Sequence, residues 1–210
     1  MIRRFVFGLA PAVLILSGCG YNQIQTYDEN AQQAKQQISV QLQRRADLVP
    51  NLVNTVKGYA QHEEAVFTQV AQARAGLQGA IQGGDPAQMA TANAALTGAL
   101  GRLIAVAEAY PQLKADQSFL RLQDELAGTE NRIATARSDY NQAVQTYNTY
   151  IRRFPQAITA KVTGAKARTY YEAAPGTEVA PTVDFGARTA PAGTAPGTTP
   201  PATPAAPKTP

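Results

Sequence analysis

The chain has 210 residues, with 19 Lys and Arg, 15 Asp and Glu, and a formal net charge of +4. Two of the basic residues, Arg3 and Arg4, precede a predicted cleavage site, which leaves 17 basic against 15 acidic residues, a surplus of only +2. This small surplus is dispersed and forms no basic stripe interleaved with aromatic residues, so the sequence excludes a nucleic-acid partner.

The N-terminus has the pattern of a bacterial lipoprotein signal. After Arg3 and Arg4 comes an apolar stretch over residues 5–16, and the small residues 17–18 lead to Cys19, the only cysteine. A basic start, a short apolar core and a small-residue cleavage site define a secretory signal, and the apolar stretch is shorter than the ~20 residues of a membrane-spanning helix. We therefore expect a signal peptide over 1–18 and a lipid-anchored N-terminus at 19–20, with Cys19 acylated. The alternative is an uncleaved membrane anchor.

Residues 21–172 carry a seven-residue repeat of apolar side chains, which predicts long helices that pack at shallow, left-handed crossing angles. The repeats are Ile24, Ala31, Ile38, Arg45, Leu52, Tyr59, Val66 and Ala73; Leu42, Val49, Val56, Val70 and Leu77; Met89, Leu96, Leu103 and Tyr110; and Phe119, Leu126, Ile133, Tyr140, Tyr147 and Phe154. We therefore predict an all-α fold, an elongated up-and-down bundle of three long helices and a short fourth.

The predicted helices end at glycine and proline. The first helix, over 22–82, ends at Gly83 and Gly84, and Asp85 caps a second helix over 86–110. Asp116 caps the third helix, which ends near residue 154, and a short helix follows over 156–162. Pro50 lies inside the first helix without a change of phase and is interpreted as a kink. The alternative, a break at Pro50, would give a more compact bundle.

The C-terminal residues 173–210 form a Pro/Ala/Thr-rich segment. Residues 174–210 contain nine Pro, nine Ala and eight Thr, and such a segment has too few large apolar side chains to offset the entropy of ordering. We expect a disordered tail that acts as a spacer, with a maximum reach of ~100 Å at ~3.1 Å per residue.

Arg45 occupies a heptad position between Ile38 and Leu52, where a buried guanidinium requires a partner. Glu125 and Glu130 on the third helix are the candidate partners of an ion pair that fixes the helix register. The alternative is a half-exposed Arg45 that is satisfied within its own helix.

His62, Glu63 and Glu64 include residue types that bind zinc or transfer protons. The chain has a single histidine, so the second histidine of a helical zinc motif is missing, and we interpret these residues as structural. The sequence contains no recognisable catalytic constellation, phosphate-binding loop or cofactor motif. We therefore expect a protein that is not an enzyme and needs no cofactor or metal.

Several motifs resemble the LemA family over about residues 21–185. They are Gly20-Tyr21-Asn22, residues 43–53, residues 56–60 with His62-Glu63, residues 109–115, 123–126 and 130–134, Ala136-Arg137, Tyr140-Asn141, Tyr147-Asn148, Phe154-Pro155 and Val183-Asp184-Phe185. The resemblance implies an up-and-down four-helix bundle that faces the outside of a bacterial membrane and is tethered at its N-terminus. The chain differs from the family pattern by its lipobox, its lack of tryptophan and its C-terminal extension.

The function we expect is a membrane-tethered interaction or scaffold module in envelope maintenance or quality control. Its contact region would be a polar helix face or the Pro50 region with Asn51 and Asn54. Relatives encoded near membrane metalloproteases suggest a membrane protease system as the partner. The alternatives are a self-assembling homo-oligomer and a bundle that binds a small ligand. Because Gly20, and not an aspartate, follows Cys19, we expect the outer membrane if the cell has one, with the bundle facing the periplasm or the exterior.

Overall fold

The computed structural model describes residues 2–172, with side chains from Gly20 onward, and these residues form helices and connecting segments. The helices are α1 (Ile2–Lys57), α2 (Glu64–Gly83), α3 (Pro86–Glu108), α4 (Pro111–Lys114), α5 (Gln117–Arg152) and α6 (Gln156–Thr163). The prediction of an all-α bundle is confirmed. The side chain of Cys19 and the predicted tail 173–210 lie outside the described residues.

The predicted first helix is two helices, and the break lies at residues 58–63. The amides of Gly58 and Ala60 donate to the carbonyl oxygens of Asn54 and Val56, which closes the last turn of α1. Helix α1 continues through Pro50 without a break. The chain reverses after residue 63, so the bundle has four long helices, α1, α2, α3 and α5, instead of three.

The other helix boundaries follow the predicted chemistry. Gly84 ends α2 with φ at 70°, a left-handed conformation that glycine adopts without strain. The Asp85 carboxylate accepts a hydrogen bond from the Ala87 amide at 3.0 Å, and Asp116 caps α5 by accepting from the amides of Ser118 and Phe119 at 2.8 and 3.0 Å. Both aspartates therefore satisfy amides that the first helical turn leaves free.

Helices α1 and α5 lie antiparallel along the whole described bundle. Ile24 packs with Ile151 at one end, and the hydroxyl of Tyr59 donates to Asp116 at 3.0 Å at the other. Helix α2 returns beside α1, where Arg74 Nε donates to the carbonyl oxygen of Ala46 at 2.8 Å. Helix α3 then runs parallel to α1, so the four long helices alternate up and down.

The core is the predicted heptad seam. The fully buried heptad residues include Ile24, Ala31, Ile38, Leu42, Val49, Leu52, Val56, Val70, Leu77, Met89, Leu96, Leu103, Phe119, Leu126, Ile133, Tyr140 and Tyr147. The heptad prediction is wrong at Tyr59, which is 40% exposed, and at Phe154, which is 83% exposed. Both residues lie just beyond a helix end, where the repeat no longer points a side chain at the core.

Helix α3 is the one described helix with the length and apolar composition of a membrane span. Its buried residues, among them Met89, Leu96 and Leu103, pack in the seam of the bundle. A core helix of a bundle meets the same criteria, so this composition is explained by the fold.

Candidate functional site

Arg45 is the one charged side chain in the buried set of the described bundle, with 5% exposure. Its Nη1 donates to Asn93 Oδ1 on α3 at 2.7 Å and to Glu130 Oε2 on α5. Glu130, one of the two predicted partners, is thus the residue that the fold brings to Arg45. Glu125 lies on the exposed surface of α5 and forms no ion pair within the described residues.

The two members of this ion pair differ in their access to water. The side chain of Arg45 is 6% exposed and that of Glu130 is 44% exposed. Burial lowers the pKa of Arg45, and the negative charge of Glu130 opposes that change. Because an arginine stays protonated in proteins, Glu130 and Asn93 are what make this buried charge tolerable.

Arg45, Asn93 and Glu130 form a group that we call the polar cluster, and Tyr171 lies beside it. Tyr171 is 2% exposed, and the guanidinium of Arg137 lies 5.0 Å from the centre of its ring, a cation–π contact. Burial raises the pKa of Tyr171 to about 12, against the opposing charge of Arg137. The hydroxyl therefore stays protonated at neutral pH, and it has no hydrogen-bond partner among the described residues.

Tyr171 belongs to residues 164–172, which follow α6 without forming a helix or a strand and which we call the C-terminal strap. Two asparagines of α5 bind the backbone of the strap. Asn148 donates to the Arg168 carbonyl at 2.9 Å and accepts from the Arg168 amide at 2.8 Å. Asn141 makes the same two bonds to Tyr171, at 3.1 and 2.9 Å. Each asparagine side chain thus pairs with the strap as a neighbouring strand would.

The spacing of the two asparagines matches the spacing of the strap residues they bind. Seven helical residues rise ~10.5 Å, and three extended residues span ~10 Å. Sequence reasoning did not find the strap, yet a signal was present, because Tyr140-Asn141 recurs seven residues later as Tyr147-Asn148. The hydroxyl of Tyr140 also donates to the Thr169 carbonyl at 2.8 Å.

Arg168 ties the strap to α1. Its Nε and Nη2 donate to the two carboxylate oxygens of Asp28 at 2.7 and 2.9 Å, a bidentate geometry. The hydrogen bond from Arg168 holds the pKa of Asp28 below its ordinary value. The same contact raises the pKa of Arg168. The strap is thereby fixed to both α1 and α5.

The predicted contact residues Asn51 and Asn54 are both exposed, and they lie on two different clefts beside α1. Asn54 lines a cleft of about 380 Å³ between α1 and α2, whose other lining residues include Val53, Phe67 and Arg74. Asn51 lines a shallower cleft of about 650 Å³ with Val40 and Leu48 among its residues. Each cleft is lined by both apolar and polar side chains.

His62, Glu63 and Glu64 lie at the α1–α2 connection and the start of α2, away from the Arg45 cluster. His62 and Glu64 are exposed. Within residues 20–172, no group of three or more His, Cys, Asp or Glu side chains is placed to hold a metal ion.

Glu130→Ala is expected to destabilise the bundle more than Arg45→Met. Loss of Glu130 leaves a buried guanidinium unpaired, at a cost of about 3 kcal/mol, whereas loss of Arg45 leaves a carboxylate that water already reaches. Urea unfolding of the full-length protein, followed by circular dichroism, measures both. Glu125→Ala is the control and should change the free energy of unfolding by less than about 0.5 kcal/mol. Equal losses for Glu125→Ala and Glu130→Ala would show that the ion pair does not contribute.

Asp28→Asn is expected to lower stability at neutral pH and to have no effect in acid. Because the folded-state pKa of Asp28 is lowered from 3.8, its contribution is present above that value and is lost as the pH falls through the folded-state pKa. Asp28 is partly exposed, so the loss should be about 1 kcal/mol. Thermal unfolding between pH 2.5 and 7 measures the difference from the wild type. A Glu29→Gln control should show no such convergence, and a loss that persists in acid would contradict the ion pair.

Comparison with known proteins gives the family. The model of the LemA family matches residues 34–185. The chain is 32% identical to magnetosome protein MamQ 1 and to MamQ 2 of Paramagnetospirillum magneticum (strain ATCC 700264 / AMB-1), and 29% identical to MamQ of Magnetospirillum gryphiswaldense (strain DSM 6361 / JCM 21280 / NBRC 15271 / MSR-1). Each match covers 74% of this chain and 65% of the relative, so the chain spans less than two thirds of the length of these relatives. The chain belongs to the LemA family.

Proposed function

We propose that this chain is a membrane-tethered, non-enzymatic helical protein of the bacterial envelope that presents a docking surface to another envelope protein. The observation that carries the proposal is the position of the two clefts on α1. From Gly20 to Pro50 the helix rises ~45 Å. A continuous helix packed against α5 holds both clefts at that fixed distance from the end where the lipid anchor is predicted.

The clefts favour an amphipathic helix of a partner protein as the occupant. In the Asn54 cleft, Val53 and Phe67 supply apolar surface, while Lys57, Glu64 and Arg74 supply charges of both signs. Apolar anchors inserted into a groove with a polar rim are the usual mode by which an amphipathic helix binds. The family resemblance favours a component of a membrane protease system as this partner, in envelope maintenance or quality control.

The membrane tether is the acylated Cys19 in this proposal, with the bundle facing the periplasm or the exterior. Stable anchoring to a membrane takes two acyl chains, or one chain together with a second membrane-binding signal. The residue after Cys19 is Gly20, which favours the outer membrane in a cell that has two. Self-assembly is the alternative function, since heptad helices also pair between chains.

Cys19→Ala is expected to abolish lipid attachment and to leave the precursor uncleaved. Cells that express the full-length protein would be fed an alkyne analogue of palmitate, and the purified protein would be assayed for label and intact mass. Ser17→Ala is the control, because it exchanges one small residue for another and should keep both label and cleavage. A labelled Cys19→Ala protein, or a wild-type protein that retains residues 1–18, would contradict the lipoprotein assignment.

A photo-crosslinking residue at Asn54 is expected to capture an envelope protein in intact cells, because Asn54 lines the deeper cleft. The same residue at Gln142, an exposed position on α5, is the control and should capture less of that protein. Adducts would be identified by mass spectrometry. If the crosslinker at Asn54 forms adducts only with other copies of this chain, self-assembly is favoured. If the crosslinkers at Asn54 and Gln142 capture the same partners equally, the clefts are not the docking surface.

A further inference from the structure

The end of the bundle beside Gly20 carries the most exposed large apolar side chains of the described chain. Phe154 is 83% exposed and Val162 is 82% exposed, with Ile158 at 59%. Ile158 and Val162 are four residues apart and share one face of α6, and Phe154 precedes that helix. Apolar side chains grouped in this way on a surface mark a contact with another apolar phase.

This apolar group lies where the chain would meet the membrane. A Cβ built on Gly20 would be 3.6 Å from Thr159 Oγ1 and 3.8 Å from Gln156 Cγ, so α6 packs directly against the residue that follows Cys19. On the same face, α6 buries Ala160 in a cluster with Ile24 and Ile151. The bundle thus holds the inner face of α6 and leaves Ile158 and Val162 facing outward.

The chain segment that carries this apolar group is basic. Residues 140–171 contain five basic residues and no Asp or Glu. Four of the five are exposed, namely Arg152, Arg153, Lys161 and Lys166. Arg168, the fifth, is paired with Asp28. An exposed apolar face flanked by Lys and Arg is the pattern of a helix that lies in the interface of an anionic bilayer.

We propose that α6 and Phe154 form a second membrane contact, which seats the base of the bundle on an anionic lipid surface. The inference rests on the proposed membrane tether and goes beyond it, because it fixes which end and which side of the bundle touch the lipid. The charges favour lipid over a second copy of the chain, since a symmetric pair would bring two sets of basic residues together. Contact between α6 and the lipid would also fix the angle of α1 to the membrane, which the lipid anchor alone would leave free.

The absence of tryptophan from the sequence permits a direct test. Phe154→Trp and Val162→Trp each introduce a single reporter into the full-length acylated protein, which is then reconstituted in vesicles of phosphatidylglycerol and phosphatidylcholine. Leu120→Trp is the matched control, because Leu120 is 45% exposed and lies ~50 Å away along α5. Fluorescence is recorded with and without lipids brominated on the acyl chains, and flotation shows how much protein is bound.

The expected result is emission at shorter wavelength and loss of most of the fluorescence to brominated lipid for Phe154→Trp and Val162→Trp, with little change for Leu120→Trp. Arg153→Gln combined with Lys161→Gln should reduce the quenching in anionic vesicles, and 0.5 M salt should reduce it in the same way. If neither the two substitutions nor the salt reduces the quenching, the basic residues do not contribute to membrane contact and that part of the proposal is wrong.

If the protein floats with the vesicles but all three Trp reporters behave alike, α6 does not contact the membrane. The membrane tether would be unaffected by that result. Protein that does not float would refute the tether itself, and the seating with it. A shift to shorter wavelength without quenching by brominated lipid would show that a second copy covers α6, and would also overturn the proposal. Each outcome therefore separates the α6 contact from the anchor on which it rests.

Discussion

The arrangement of the bundle depends on a buried positive charge that must be paired. Arg45 occupies a seam position, and its guanidinium reaches α3 through Asn93 and α5 through Glu130. An apolar seam tolerates a slip of one heptad, since one Leu or Ile resembles the next. A slip of one heptad along α5 would place Gln123 or Arg137 where Glu130 stands. The guanidinium would then lack its carboxylate, which is far more costly than a change of apolar neighbours. We therefore expect the pair to select one register for three helices, as single polar residues do in coiled coils.

The sequence predicted the helices and their seam because both follow from local rules. Seven-residue spacing identified the buried residues of α1, α3 and α5, and Asp85 and Asp116 identified two helix starts. The break at 58–63 was not predicted because the repeat from Val49 and Val56 resumes in phase at Val70 and Leu77. When the chain reverses direction and the heptad spacing stays in phase, the spacing alone does not reveal the reversal. Whether the chain reverses depends on the packing of α2 against α1, which is a long-range property.

The strap was missed for a different reason. Residues 164–172 have neither helical nor strand periodicity, and their backbone bonds are made by side chains 20 and 30 residues away. Asn141 and Asn148 appeared in the sequence analysis only within the family motifs Tyr140-Asn141 and Tyr147-Asn148. Of the site residues, Arg45 and Glu130 could be predicted because a charge in a seam demands a partner. Which of Glu125 and Glu130 faces Arg45 depends on how α5 is rotated about its own axis, and the structure shows this rotation.

The strap also decides where the described part of the chain ends. It begins at α6, beside Gly20, and follows α5 to Tyr171, which lies against Arg137 and near Arg45 and Glu130. Since Arg45 is 25 helical residues from Gly20, the last described residues lie ~38 Å above the base. Glu172, the last described residue, therefore lies beside the polar cluster and not at the end that carries the predicted anchor. Asn141, Asn148 and the bidentate Arg168 thus hold the strap along most of the height at which the clefts lie.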